Sequence, residues 1–464
     1  MPCSVGKGRL IFRSTRHGRG FGVTQGSPGR GLTKASLARK GAGRQALAMT
    51  PPPDAPAAAA SPPRWRRALG VFGAFLTLGL TAFGGPIAHV GYFHRAFVVR
   101  RGWLDEAAFA ERLALCQLLP GPTSSQLGVA IGLRRAGAAG GLAAFLGFTL
   151  PSALLMAALA LTLARLDGPL AGGLIAGLTL AAVAVVADAV LGMARQLCPD
   201  RRRASLALLT LACVLAWPND GPLAPWGQMM PLAVAAALGA AQGWRHRDRQ
   251  ATPGARVRGF PGWRWGIGFL GLAGLGFFGL PLLAALAPTP LTTLAAALFQ
   301  TGALVFGGGH VVLPLLQGTL VEGALIDGAI LTTGYGLAQA MPGPLFTIAA
   351  YLGAAIAPPG AAVGYAGVAI LAIFLPGFLL LAACLPFWAA LRRNPLLTGA
   401  IEAVNAAVVG LLAAALWDLL IATAVRGGTA AALAVLTFLA LRFWRAPPWL
   451  AVLIPALAGA AGML

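Results

Sequence analysis

Two glycines, each set between prolines, carry the residues best suited to chemistry. Pro120-Gly121-Pro122 is followed at once by Thr123, Ser124, Ser125 and Gln126, and Pro342-Gly343-Pro344 by Leu345, Phe346 and Thr347. Each proline lacks a backbone N–H and disfavours helix in the residue before it, so a helix must stop here and another begin. The restarted helix opens with unpaired N–H groups at the positive end of its dipole, an arrangement that binds anions. Hydroxyls and an amide at that end add donors without adding charge. Gln117 and Gln339 precede the two breaks by three residues and are expected to line a cavity or to bond across the protein.

A second pair of breaks accompanies the first. Phe83-Gly84-Gly85 and Phe306-Gly307-Gly308 each interrupt an apolar run, and His89 and His310 follow them. A membrane histidine either ties one helix to another or serves as an anion contact or proton relay. Placed beside equivalent breaks, these two are candidates for the second role. Arg95 and Arg112 are expected to gather anions at an entrance. Asp105 and Asp327 stand where helices start and are expected to cap them. Asp188 and Glu402 lie in apolar segments, costly positions that make them candidates for proton coupling. The sequence shows no ATP-binding P-loop, no His/Cys/Asp metal cluster and no Ser/His/Asp order. The expectation is a protein that is not an enzyme, needs no cofactor or metal, and is driven by an ion gradient or the membrane potential.

The elements that must position these residues are membrane helices. The chain is 58% hydrophobic and 10% charged, with mean hydropathy +0.77, whereas a soluble chain carries about 25% charge. Several apolar runs reach about 20 residues, enough to cross a bilayer. The expected fold is an all-α polytopic membrane protein with roughly 10–13 membrane segments. Its net charge of +22 gathers at segment ends, which points to lipid rather than nucleic acid as the partner. The segment from Phe109 to Leu133 would be one helix but for Pro120-Gly121-Pro122 at its middle. A broken backbone at that depth is tolerated only where it is packed in protein or lines a wet cavity.

Residues 1–63 read as an extension without fixed structure. Ten Lys/Arg and no acid precede Met49, the preferred start of the chain, and a Pro/Ala-rich stretch follows. Residues 64–242 and 265–464 read as two halves, joined by a basic linker, 243–264, expected in the cytoplasm. The halves repeat each other. Phe83-Gly84-Gly85 matches Phe306-Gly307-Gly308 at an offset of 223, and Asp105, Gln117 and Pro120-Gly121-Pro122 match Asp327, Gln339 and Pro342-Gly343-Pro344 at 222. Pro151 matches Pro376 at 225, and Ala181-Ala182-Val183 matches Ala407-Val408-Val409 at 226. Ordered anchors of this kind indicate duplication.

Charge gives the relative orientation. The loop before the first hairpin carries Arg95, Arg100 and Arg101, while its counterpart carries Glu322 and no base. Arg134 and Arg135 follow the first hairpin; the counterpart at 357–361 is uncharged. One loop later the bias reverses, with Arg392 and Arg393 in the second copy. With Lys and Arg kept inside, the copies face opposite ways. Two re-entrant tips then meet near the midplane, the inverted-repeat design of secondary transporters.

At these residues the sequence resembles the chromate ion transporter family in its long, two-domain form. The carriers are Phe83-Gly-Gly-Pro86 with His89, Arg101-Gly-Trp-Leu-Asp105, Leu119-Pro-Gly-Pro122 and Ile131-Gly-Leu-Arg-Arg-Ala-Gly137 in the first half. In the second they are Phe306-Gly-Gly-Gly-His-Val-Val-Leu-Pro314 and Gln339-Ala-Met-Pro-Gly-Pro344. The resemblance covers roughly residues 65–464. It implies export of chromate across the bacterial cytoplasmic membrane, giving chromate resistance, with sulfate as a related oxyanion. It also implies antiparallel domains. Where many relatives have Asn after the first Pro-Gly-Pro, this chain has Thr123. The alternatives are a carrier of sulfate or another oxyanion on the same scaffold, an oxyanion channel, and an intramembrane enzyme. The oligomeric state is open, and a homodimer is compatible with the sequence.

Overall fold

The computed structural model describes residues 63–218, 226–245, 263–391, 394–423 and 427–464. The basic extension, most of the central linker, and Arg392 and Arg393 lie outside the described residues.

The first half begins with α1 (Arg64–Thr81), a break, and α2 (Gly85–Phe93), which runs into a π-helical stretch, His94–Arg100. Then come α3 (Glu106–Leu118), α4 (Thr123–Leu163), α5 (Pro169–Leu197), α6 (Arg201–Leu215) and α7 (Met229–Arg245). One helix, α8 (Trp263–Leu286), has no counterpart in this half. The second half repeats the pattern: α9 (Pro290–Leu304), a break, α10 (Val312–Leu316) with a π-helical Gln317–Val321, α11 (Gly328–Ala340) and α12 (Ile348–Ala355). It closes with α13 (Ala362–Cys384), α14 (Trp388–Leu391), α15 (Pro395–Thr423), α16 (Gly428–Arg442) and α17 (Pro448–Ala460).

Local signals set the starts of these helices. Asp105 accepts from the Ala108 N–H at 2.7 Å and Asp327 from the Ala329 N–H at 2.6 Å, so both serve as the N-caps expected of them. Asp200 caps α6 in the same way, through the N–H groups of Arg202 and Arg203.

Each half opens with two helical hairpins. Phe75, midway along α1, lies edge-on to Phe93 at 5.3 Å and stacks on Phe97 at 4.8 Å, so the chain doubles back at the Gly84-Gly85 break. Arg135 lies over the Trp103 ring at 5.2 Å, which brings the two ends of the α3–α4 hairpin to one face. Past that point α4 turns on itself. Gly137 has φ +66°, and Gly132 packs backbone to backbone with Gly140; a straight helix would hold them roughly 12 Å apart. In the second half a Cβ on Gly334 of α11 would fall 2.5 Å from Tyr351 of α12, the same hairpin pairing.

Helix α8 lies between the two repeats. Only 6% of its apolar window is buried, as suits a connector facing lipid.

The halves also exchange helices. From the first half α7 packs on α15, and from the second α17 packs on α5. Both seams are made by glycine against glycine: Gly399 with Gly239, and Gly173 with Gly459. Gly173 and Gly399 are equivalent at the offset of 226. In lipid no hydrophobic gain draws helices together, so close approach of small residues holds such seams. Two ion pairs also cross between the halves, Asp188 with Arg442 at 3.5 Å and Glu402 with Arg203.

Candidate functional site: the junction of four breaks

The four breaks come together. The Gly121 N–H donates to the Val305 carbonyl at 2.7 Å, and the Gly343 N–H donates to the Ala82 carbonyl at 3.0 Å. Gly121 and Gly343 are equivalent at 222, and Ala82 and Val305 at 223. One hydrogen bond is thus drawn twice about a pseudo-twofold axis, each Pro-Gly-Pro tip docking on the opposite half's Gly-Gly break. The backbone needs glycine here: φ is +117° at Gly121 and +102° at Gly343, in the left-handed region that side chains resist. A third link joins the two Gly-Gly breaks. A Cβ on Gly85 would lie 4.0 Å from His310 Nε2, and one on Gly309 would lie 3.3 Å from Pro86.

Gly121 and Gly343 spend their N–H groups on the joint, because a buried N–H without a partner is costly. The donors left over begin at Thr123, since Pro122 has no N–H. Thr123, Ser124 and Ser125 open α4, where N–H groups have no intrahelical carbonyl to reach. Gln126 starts the regular ladder, its N–H on the Pro122 carbonyl at 2.9 Å.

The side chains sort into fasteners and unpaired groups. Gln126 Nε2 donates to the Pro120 and Gly377 carbonyls, both at 2.9 Å, and so ties the first tip to α13. Its Oε1 is buried without a partner, and so is Ser125 Oγ. Ser124, Pro122 and Pro344 are buried, while Thr123, Pro120 and Pro342 are half-buried. Thr347 donates to the Pro344 carbonyl at 2.8 Å and closes the second tip's turn. Gly84 and Gly307 are exposed and Gly308 half-buried, so the Gly-Gly breaks form the open side of the junction. Asn405 Oδ1, buried and unpartnered, lies 3.5 Å from where a Gly307 Cβ would stand.

The histidines differ. His89 is fully buried, its Nε2 3.1 Å from the Ala82 carbonyl and its Nδ1 without a partner. His310 turns Nδ1 to the Tyr335 hydroxyl at 2.9 Å and to Gln339 Nε2 at 3.2 Å. Gln339 is buried, whereas Gln117, its sequence equivalent, is exposed on α3. Arg112 is buried, with its guanidinium donating to the Ala108 carbonyl at 2.7 Å, and Arg95 is exposed on the π-helical stretch. Asp188 and Glu402 are engaged in the ion pairs between the halves.

Sequence reading missed Tyr335, Gly377, Ser152 and Asn405. The signal for Tyr335 was present: it lies four residues before Gln339, on the same helix face. Gly377 and Ser152 follow the prolines of an aligned pair, Pro376 and Pro151, but nothing in a sequence says which backbone they touch. Chemically, the junction offers N–H and O–H donors carrying no formal charge, in a setting where buried polar groups seek partners. Such donors suit an oxyanion that must be both gripped and released.

A family model described as Chromate transporter matches residues 69–243 and 292–463. The probable chromate transport protein of Synechococcus elongatus is 31% identical over 356 residues, covering 74% of this chain and 81% of its own. The chromate transport protein of Pseudomonas aeruginosa is 28% identical over 372 residues, covering 77% and 82%. That of Cupriavidus metallidurans is 27% identical over 374 residues, covering 78% and 86%. No solved structure matches the chain. The two matched stretches flank α8 and each takes in one structural repeat with its pair of breaks; on that footing the chain belongs to the chromate transporter family.

Proposed function

We propose that this protein is a secondary transporter that exports chromate across the bacterial cytoplasmic membrane and so gives chromate resistance. In this reading residues 64–242 and 265–464 are the two transporting halves, and 243–264 is a linker on the cytoplasmic side. The substrate sits at the junction of the breaks, against the N-terminus of α4, Ser124, Ser125, Gln126 and His310. The observation that carries the reading is the reciprocal pair of hydrogen bonds, Gly121 to Val305 and Gly343 to Ala82. The pair joins the interrupted hairpins of the two repeats at one point, which supports a substrate site of the kind that secondary transporters with inverted repeats build.

The energetics favour export of a dianion. With the interior negative, each expelled charge gains about 2.3 kcal/mol per 100 mV, and a dianion about twice that. Membrane potential alone therefore supports useful expulsion, and exchange for a proton adds to it. Arg95 and Arg112, on the face that bears Arg134 and Arg135, would concentrate the anion at the cytoplasmic entrance.

The test is flux in proteoliposomes containing the purified protein. Labelled chromate is expected to move saturably, to show counterflow, and to follow an imposed potential. Sulfate movement with no chromate flux would transfer the reading to a sulfate carrier. Unsaturable chromate flux without counterflow would make the protein a channel.

A further inference from the structure

The two histidines at the junction have opposite hydrogen-bonding polarity. Around His89, Nε2 faces the Ala82 carbonyl at 3.1 Å. A carbonyl only accepts, so Nε2 carries the proton and spends it on the main chain. That carbonyl also accepts the Gly343 N–H, which makes His89 part of the joint itself. Around His310 the bonds fall on the other nitrogen. Gln339 Nε2 lies 3.2 Å from Nδ1 and the Tyr335 hydroxyl 2.9 Å from it. An amide nitrogen only donates, so Nδ1 must be the acceptor and the proton must stand on Nε2. No partner for that Nε2–H exists among the described residues, and it faces Gly85, across the boundary between the halves.

We infer that Tyr335 and Gln339 are positioning residues that lock His310 in the Nε2–H form, so that it presents one neutral donor to a tetrahedral oxyanion at the junction. This inference rests on the substrate site proposed above. A neutral donor suits a carrier: an imidazolium would hold a dianion more tightly and slow its release. The first half has no such lock. Leu113 stands where Tyr335 is equivalent, and Gln117 is exposed. Only the second half, then, offers a histidine N–H to the substrate.

The test uses the full-length protein in lipid nanodiscs, labelled with ¹⁵N-histidine, with His310 assigned from the His310→Gln variant. The expected spectrum shows His310 protonated at Nε2 and bare at Nδ1, and added chromate shifts the Nε2 resonance. Gln339→Glu supplies an acceptor at Nδ1 and should move the proton there. Tyr335→Phe, which removes a hydroxyl and no volume, should mix the two forms and raise the KM for chromate by about tenfold, the loss of one hydrogen bond. His310→Gln restores a donor near the Nε2 position and should keep a larger share of transport than His310→Leu. A proton on Nδ1 in the wild type would overturn the lock, as would an unchanged His310 spectrum in Gln339→Glu. A correct tautomer whose resonance ignores chromate would overturn the donor assignment while leaving the transport reading to the flux assay. Absence of flux from a protein whose tautomer is as stated would count against the transport reading instead.

Discussion

The two Pro-Gly-Pro tips share a backbone and differ in their fastenings. Each donates its glycine N–H to the other half's break. Only the first is also clamped, by Gln126 onto Pro120 and Gly377; the position equivalent to Gln126 is Ile348. A Cβ on Gly121 would meet Gln126 Nε2 at 2.9 Å and the Gly377 main chain at 3.0 Å, whereas one on Gly343 would meet the Ser152 hydroxyl at 2.7 Å and the Phe148 carbonyl only at 3.3 Å. Main chain cannot move aside, but a hydroxyl can rotate. The duplication has therefore kept the frame symmetric in its backbone while its side chains have diverged, giving one anchored tip and one adaptable tip.

The largest expected effect is at the anchored tip. Pro120→Ala combined with Gly121→Ala removes the helix stop and sets a Cβ at φ +117°, pressed on Gln126 and Gly377. Chromate flux should fall by on the order of a hundredfold or more, as when a binding group is displaced by an ångström, while membrane insertion stays normal. Gly343→Ala should cost about tenfold in flux, since one left-handed residue strains by roughly 1–2 kcal/mol. Adding Ser152→Gly should restore part of it. Equal losses at the two glycines, with no rescue, would erase the distinction between the tips.

Next comes a pair that separates fastening from binding. Gln126→Leu leaves the buried Gly377 carbonyl and the half-buried Pro120 carbonyl without their donor, a stability loss of roughly 1–3 kcal/mol for the buried one, read as a lower thermal midpoint in detergent. Ser125→Ala removes no hydrogen bond, because Ser125 Oγ has none. Its midpoint should stay the same while the KM for chromate rises. The smallest effect belongs to Glu402→Gln, which opens a largely exposed ion pair with Arg203 and should change stability by less than about 1 kcal/mol.

Much of this arrangement was legible in sequence because the breaks are covalent facts. Proline cannot donate and glycine alone turns left-handed cheaply, so Pro120-Gly121-Pro122 and its copy had to interrupt helices wherever they lay. Asp105 and Asp327 were readable as caps for the same local reason. Illegible were the partners across space. Nothing near Gly121 in the sequence names Val305, and nothing near Gln126 names Gly377, since those contacts arise only when one half folds onto the other. The exchange of α7 and α17 between halves left glycines in view without their mates. Asp188 and Glu402, candidates for proton coupling in the sequence, meet arginines from the opposite half that no local pattern names. Gln117 and Gln339 are equals by alignment, yet one is exposed and the other holds His310.

The central claim is that one oxyanion is held where the four breaks meet. Anomalous scattering at the chromium edge, from crystals of the protein soaked in chromate, tests it most directly. One chromium should appear between the breaks at Gly84, Gly121, Gly307 and Gly343, and it should vanish in the Pro120→Ala, Gly121→Ala variant. Chromium bound only at the arginines of the basic loops, with none at the junction, would contradict the account.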